Sequence, residues 1–239
     1  MESDVPVHRA MKVARFDKAR GSYLQNMMEL CDEAMVALHI GTHPNVVALR
    51  YMCQDESARA NGDSYLLFYD FIDGMNLRTA LNTESFLWMR DQSKADAREM
   101  ELRMFSLSYQ LLQGLEFIHQ KNVLHQDIKP ENLMVDTNGR LRIADFGLAE
   151  RIPQKTNGNC PVGVLRGFTR TYNSPEIFKH ISNLQSAFTL GEVRPLEVEP
   201  RTSDLWAASL TILEIFCGGG IRWRLGHGET GQKALDSYM

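Results

Sequence analysis

The sequence predicts an α+β fold with a strand-rich front and a helical back, on three observations. Residues 46–52 and 65–72 are dense in β-branched and aromatic residues. From about Asn76 the apolar residues recur at three and four instead. Three short apolar runs, 123–124, 133–135 and 141–143, then return to strand character, with Asn138-Gly139 as a two-residue turn between the last two. With 44% apolar residues over 239 positions, the chain can bury a core.

Each element follows in order. Residues 9–15 read as a strand. Residues 22–40 read as a helix, with Leu24, Met27, Met28, Cys31, Met35 and Leu38 recurring at three and four and Gly41 closing it. The strands 46–52 and 65–72 are joined through Asn61-Gly62-Asp63, a hairpin signal. Lys94–Gln120 is a long amphipathic helix with Leu102, Phe105, Leu107, Leu111, Leu115 and Ile118 mostly on one face, ending near Lys121-Asn122. The most apolar stretch, 205–217, is too short to span a bilayer and contains Glu214, so it reads as a buried core helix. Residues 153–163 and 191–202 read as loops, and no internal repeat or low-complexity tract is present.

A net charge of -4 without a basic cluster gives no electrostatic footprint for nucleic acid or an anionic membrane. Cys31, Cys53, Cys160 and Cys217 are far apart with no C-x-x-C spacing, which predicts free thiols in a reducing compartment and no zinc site. Residues 1–15 carry scattered charges and no apolar run, so no signal peptide is visible. A cytoplasmic location is the expectation.

The chemistry is concentrated in His125-Gln126-Asp127-Ile128-Lys129-Pro130-Glu131-Asn132 and, further on, Asp145-Phe146-Gly147. Alone, Asp-Phe-Gly is an ordinary strand-end turn and His125 an ordinary core histidine; their order and spacing in one frame carry the signal. Phosphoryl transfer to a hydroxyl needs a carboxylate to accept the proton and oxygen ligands to hold Mg²⁺ against a polyphosphate. Asp127 suits the first task, Asn132 and Asp145 the second. The stretch resembles the catalytic loop and metal-binding tripeptide of eukaryotic-type protein kinases, His-Arg-Asp-x-x-x-x-Asn followed by Asp-Phe-Gly, with Gln126 in place of the Arg.

The resemblance extends from about Arg9 to Cys217. Ala10-Met11-Lys12 is similar to the Ala-x-Lys of the third kinase strand, and Glu33, in the next helix, stands where the family carries the glutamate that anchors this lysine. The resemblance implies that Lys12 meets the α/β phosphates of ATP, that the backbones of Asp70 and Ile72 meet the adenine edge behind a gatekeeper at Tyr69, and that Ala10 and Met134 sandwich the ring. Gly167-Phe168-Thr169-Arg170-Thr171-Tyr172-Asn173-Ser174-Pro175-Glu176 is similar to the end of an activation segment, with Ser-Pro-Glu for Ala-Pro-Glu, and Asp204-Leu205-Trp206 matches the start of the central helix of the large lobe, with Ser209 for its usual Gly. Lys129 is the serine/threonine type, and Thr169 is expected to bond Asp127 and Lys129. The implied architecture is a two-lobed protein-kinase-like fold over residues 1–239, with a small lobe at about 9–72 and a large lobe at 73–239.

The departures are equally specific. Kinases place two strands and a glycine-rich loop ahead of the Ala-x-Lys, yet eleven residues precede Lys12 and the first glycine is Gly21. The expectation is therefore a partial catalytic domain, with a small lobe lacking its first two strands and a large lobe truncated after the central helix. Glu176 is then without its usual arginine. Ala37 stands where the family packs a larger apolar side chain against Phe146 and His125, a deficit for which Leu49 and a rotated Leu38 are the two candidates to compensate, and the stretch between Glu176 and Asp204 holds an insertion. The function implied is ATP- and Mg²⁺-dependent phosphorylation of serine or threonine in a protein substrate, with Asp127 and Lys129 catalytic. The alternatives are a pseudokinase-like interaction module and a small-molecule phosphotransferase of related fold, the second disfavoured by Ser174-Pro175-Glu176.

Overall fold

A computed structural model describes residues 8–16, 23–55, 63–83, 94–152, 172–177 and 201–217. The hairpin tip Asn61-Gly62, Cys160, Thr169, the loops 153–163 and 191–200 and the insertion after Glu176 lie outside these residues. The front portion consists of β1 (Arg9–Phe16), helix α1 (Tyr23–Ile40), β2 (Leu49–Asp55) and β3 (Asp63–Asp70). Its sheet has the order β1-β3-β2 with both pairs antiparallel, and Arg9 pairs with Asp70 at one end of β1 and Phe16 with Asp63 at the other. The two later strands sit a few residues toward the C-terminus and N-terminus, respectively, of the predicted runs. Residues 45–47 are instead tied to the back portion, with the Val47 amide on Ile143 O at 2.8 Å and the Ile143 amide on Asn45 O at 2.9 Å.

The back portion opens with β4 (Gly74–Asn76) and helix α2 (Leu77–Asn82), where Asn76 caps the helix by accepting the Thr79 amide at 2.8 Å. Helix α3 (Lys94–Gln120) follows, then β5 (Val123–Leu124), a 3₁₀ turn (Pro130–Asn132), β6 (Leu133–Asp136), β7 (Leu141–Ile143), β8 (Glu150–Arg151) and helix α4 (Arg201–Cys217). A second sheet has the order β4-β6-β7, and β5 pairs with β8. Between β3 and β4 the chain therefore crosses from one sheet to the other. Among the described residues no helix is long and apolar enough to cross a membrane.

Local chemistry sets the ends of these elements. Gly41 takes a left-handed φ of +79° and sends its amide back to Ala37 O at 3.4 Å, a glycine stop for α1 as predicted. The β6–β7 turn is longer than the predicted two residues. Its Asp136 O accepts the Gly139 amide at 2.9 Å, the left-handed φ of +74° falls on Gly139, and the Asp136 carboxylate accepts the amides of Asn138 and Arg140 at 2.9 Å each. A strict two-residue Asn-Gly turn needs positive φ at both positions, and Asn138 is not in that region.

The helices correct three readings. On α1 the buried residues are Leu30, Glu33, Ala34, Val36, Ala37 and Ile40, whereas Met28, Met35 and Leu38 of the predicted stripe are exposed. Alanines at 34 and 37 bring the helix close to its neighbours, and a hydrophobicity count ranks Met and Leu above them. On α3 Leu107, Leu111, Leu115 and Ile118 are buried as predicted, but Leu102 and Phe105 in its first half are exposed. On α4 one face is buried and is made of Asp204, Ala207, Ala208, Thr211, Glu214 and Ile215, while Leu205, Trp206, Leu213 and Phe216 are exposed. Leu49 is buried with Ala37 and Phe146 in the main core, and Leu38 is outside it.

Candidate active site

Lys12 lies in the middle of β1, and the β1–β3 register sets Ala10 opposite Tyr69 and Lys12 opposite Leu67. Side chains two apart on a strand share a face, so Lys12 and Tyr69 project to the same side of the sheet as diagonal neighbours. Glu33 meets both from α1. Lys12 Nζ donates to Glu33 Oε1 at 2.7 Å and to Oε2 at 2.9 Å, and the Tyr69 hydroxyl donates to Oε1 at 2.9 Å. Burial, and then the charges of Glu33 and Asp145, push the Tyr69 hydroxyl well above the usual tyrosine range, so it stays a donor. Lys12 Nζ is also 3.6 Å from Asp145 Oδ1. Asp145, itself at φ 63°, thus faces the Lys12–Glu33 pair from the other portion of the chain.

The second cluster is built on the 3₁₀ turn after Asp127. Lys129 Nζ donates to Asp127 Oδ2 at 2.6 Å, and Asn132 Nδ2 donates to the same oxygen at 2.8 Å and to Asp127 O at 2.9 Å. These donors fix the carboxylate from two sides. Pro130 opens the turn, where its missing N–H costs no bond. With its nitrogen engaged, the Asn132 amide has Oδ1 to offer a cation.

Asp204, 2% exposed at the start of α4, holds the loop before Asp127. Its Oδ2 accepts the His125 amide at 2.8 Å and His119 Nε2 at 2.8 Å, and its Oδ1 accepts the Gln126 amide at 2.8 Å. This clamp maintains Gln126 at φ 62°, a left-handed conformation that a non-glycine residue adopts only when its surroundings enforce it. The Gln126 side chain donates to Glu150 Oε2 at 3.1 Å, which ties the loop to β8. His125 is fully buried against Phe146, ring centroids 5.2 Å apart. Its Nδ1 faces the Asp127 amide at 3.3 Å and its Nε2 faces Ala144 O at 3.1 Å, so the neutral tautomer with the proton on Nε2 satisfies both partners. Burial, opposed in part by Asp204, holds the imidazole pKa below its usual value.

The other residues expected at the site are placed as follows. Ala10 is on the first sheet and Met134 on the second, one on either side of the 71–73 crossing. The Asp70 amide is bonded to Ala48 O at 3.0 Å, so of its backbone groups only the carbonyl is available to a ligand. The Asp70 carboxylate is bound by Arg50 at 2.5 and 2.7 Å and by Arg9 at 3.2 Å. Ile72 lies in the crossing itself.

One cluster escaped the sequence reading. Arg78 of α2 donates to Glu131 at 2.9 Å, to Glu214 at 2.5 Å and to the Tyr172 hydroxyl at 2.6 Å, and Tyr172 donates to the other oxygen of Glu214 at 2.5 Å. Glu214 has no exposed surface. A glutamate inside the most apolar helix was the available signal, since a buried charge requires a partner.

The donor set fits the ligands that the motif implies. Among the described residues no group of three or more His, Cys, Asp and Glu could hold a metal by itself. Mg²⁺ does not need one, because it is usually bound through one or two protein oxygens together with phosphates. Asn132 Oδ1 and the half-exposed Asp145 carboxylate are oxygens of that kind, and Lys12, held by Glu33, is a cation in reach of a polyphosphate.

Comparison with known proteins decides the family. The protein kinase domain description matches residues 6–237. The chain belongs to the protein kinase family. Among kinases it is similar to mitogen-activated protein kinase kinase kinase 1b of Physcomitrium patens, 23% identical over 89% of this chain and 24% of the relative. Serine/threonine-protein kinase PknB of Mycolicibacterium smegmatis is 29% identical over 72% of this chain and 25% of the relative. Cyclin-dependent kinase 4 of Mus musculus is 32% identical over 77% and 52%. The chain thus spans about a quarter of the first two kinases and about half of the third. Protein kinases transfer a phosphoryl group to protein substrates, generally from ATP with Mg²⁺.

Proposed function

We propose that this chain phosphorylates serine or threonine hydroxyls of a protein substrate, with a small lobe at 9–72 and a large lobe at 73–239. Asp127 accepts the hydroxyl proton and orients the oxygen, and Lys129 and Asn132 hold its carboxylate for that task. Lys12, steadied by Glu33, positions the α/β phosphates; Asn132 and Asp145 are the Mg²⁺ ligands. Ala10 and Met134 flank the adenine, and the backbones of Asp70 and Ile72 meet its edge. Bound Mg²⁺-ATP supplies the transferable phosphoryl group and neutralises charge that develops on it. Lys129 in place two residues after Asp127 supports serine/threonine over tyrosine.

One observation carries this reading. Lys12, Glu33 and Asp145, drawn from β1, α1 and the segment after β7, meet within ion-pair distance, and the two donors of the second cluster converge on Asp127. Buried ion pairs can be purely structural, but this set leaves Asp145 half exposed and a lysine beside it.

The test is transfer from γ-labelled ATP with Mg²⁺ to a mixed protein substrate, with Asp127→Asn as the variant. We expect about a 10²–10⁴-fold loss of transfer, with nucleotide affinity kept. Equal transfer by Asp127→Asn would overturn the assignment. Nucleotide binding without transfer by the wild-type chain would instead support a non-catalytic interaction module.

A further inference from the structure

The first cluster holds Lys12, Glu33 and Asp145, and a fourth side chain, Tyr69. Its hydroxyl is 2.9 Å from Glu33 Oε1, the oxygen that also accepts Lys12 Nζ at 2.7 Å. Glu33 is 7% exposed and sits on the small-residue face of α1, between Leu30 and Ala37. Tyr69 is the penultimate residue of β3, the central strand of its sheet, and its ring packs against the main core. The tyrosine is therefore anchored on a central strand, while α1 is held from one side of the sheet. Lys12 is by contrast about half exposed and on an edge strand of the described sheet, so alone it is a weak anchor.

We propose that Tyr69 is a positioning residue whose hydroxyl fixes Glu33, so that α1 and Lys12 are preset for nucleotide before any ligand binds. The inference rests on the nucleotide-binding reading of Lys12 given above. A charged acceptor shared by two donors is held more tightly than a lone pair on the surface, because a hydrogen bond to a charged group is the stronger kind. Desolvation strengthens it further at Glu33. Tyr69 also supplies a donor that, unlike Lys12, has no competing use: Lys12 is shared with Asp145 at 3.6 Å and is the cation that meets the phosphates, whereas Tyr69 donates its one proton to Glu33.

The experiment uses the whole chain with Tyr69→Phe, which removes one oxygen, and Tyr69→Met as a second variant lacking the hydroxyl. Amide hydrogen exchange over residues 29–37 is followed without nucleotide, and Mg²⁺-ATP affinity is measured separately. Exchange in that segment should rise about tenfold in both variants, the scale of one charge-assisted hydrogen bond, and affinity should fall by a similar factor. In a Glu33→Gln background, Tyr69→Phe should add less than about twofold to either readout, as expected when it acts through Glu33. Unchanged exchange over 29–37 in Tyr69→Phe overturns the proposal, as does a full additional loss in the Glu33→Gln background. A ring that served only to fill the core would leave the exchange and the coupling at their wild-type values in Tyr69→Phe. If the wild-type chain binds no nucleotide, the reading of Lys12 fails while the exchange measurement still decides the role of Tyr69.

Discussion

Replacing Arg78 by Leu should destabilise the chain by about 3 kcal/mol, at the lower end of the roughly 3–5 kcal/mol seen when one partner of a buried ion pair is removed. The magnitude follows from the surroundings. Glu214 is 0% exposed and Arg78 only 13%, so water screens the pair little. The guanidinium stays firmly charged: burial works against it, but the hydrogen bonds it donates to Glu214 and Glu131 outweigh that. Without Arg78, Glu214 would keep one partner, the Tyr172 hydroxyl at 2.5 Å, which places the loss below the upper bound. In a chain of this size about 1 kcal/mol corresponds to roughly 2–4 °C in Tm, so Arg78→Leu should melt about 6–12 °C lower. Glu214→Gln in the same background removes the stranded charge yet leaves an acceptor for Tyr172, and it should recover half or more of the loss. Thermal unfolding followed by circular dichroism on the wild type, Arg78→Leu and Arg78→Leu/Glu214→Gln checks both. An Arg78→Leu chain melting within about 2 °C of wild type would refute the reasoning, and so would a double variant with no recovery.

Two further outcomes are expected. Because the pKa of His125 in the folded chain lies below that of the unfolded chain, the unfolded state takes up the proton first as pH falls; stability is therefore complete above about pH 6.5 and declines below it, and His43, also lowered by burial, acts in the same direction. Thermal melts between pH 7.5 and 5.5 should show this decline, less steep in His125→Gln, and a melting temperature that is flat or rises toward pH 5.5 would contradict it. The second outcome concerns regulation: Gln126 is neutral and its side-chain amide donates to Glu150, so this residue has no charge of its own to offer a phosphate. Thr156→Glu should then change transfer by no more than about threefold, since an exposed charge contact is worth roughly 0–1 kcal/mol; strong activation that Gln126→Ala abolishes would show the opposite.

Much of the site could be read from the sequence because its residues are fixed by spacing within single short segments. Asp127, Lys129 and Asn132 fall within six residues that end in the 3₁₀ turn Pro130–Asn132, so their mutual geometry is set locally. The resemblance to the kinase Ala-x-Lys strand and its following helix pairs Lys12 with Glu33, and the ion pair at 2.7 Å joins them. What sequence could not give were contacts between distant segments. Tyr69 meets Glu33 across 36 positions, Gln126 meets Asp204 across 78, and Arg78 meets Glu214 across 136. Glu214 in an apolar helix signals a need for a partner, but nothing local names Arg78 as that partner, or Tyr69 and Asp204 as those of Glu33 and Gln126.

The helix faces were misread for a different reason, and the error has a pattern. On α1 the inward residues Leu30, Glu33, Ala34, Ala37 and Ile40 recur at three and four, and on α4 Asp204, Ala207, Ala208, Thr211, Glu214 and Ile215 do the same. Each inward face thus combines a few branched apolar residues, Leu30, Val36 and Ile40 on α1 and Ile215 on α4, with small residues and one or two acids, while Met28, Met35 and Leu38 on α1 and Leu205, Leu213 and Phe216 on α4 face outward. A helix that must present a carboxylate to a lysine, an arginine or a loop amide has to approach closely, and alanine permits that approach where leucine would not. Summed hydrophobicity is blind to this, because it ranks alanine and glutamate below methionine. An acid three or four residues from a buried alanine is the better guide: Glu33, four before Ala37, leads to Lys12 and Tyr69, and Asp204, three and four before Ala207 and Ala208, leads to His125 and Gln126, while Glu214 further along α4 leads to Arg78. On both helices the interior is organised around the charges that hold the site.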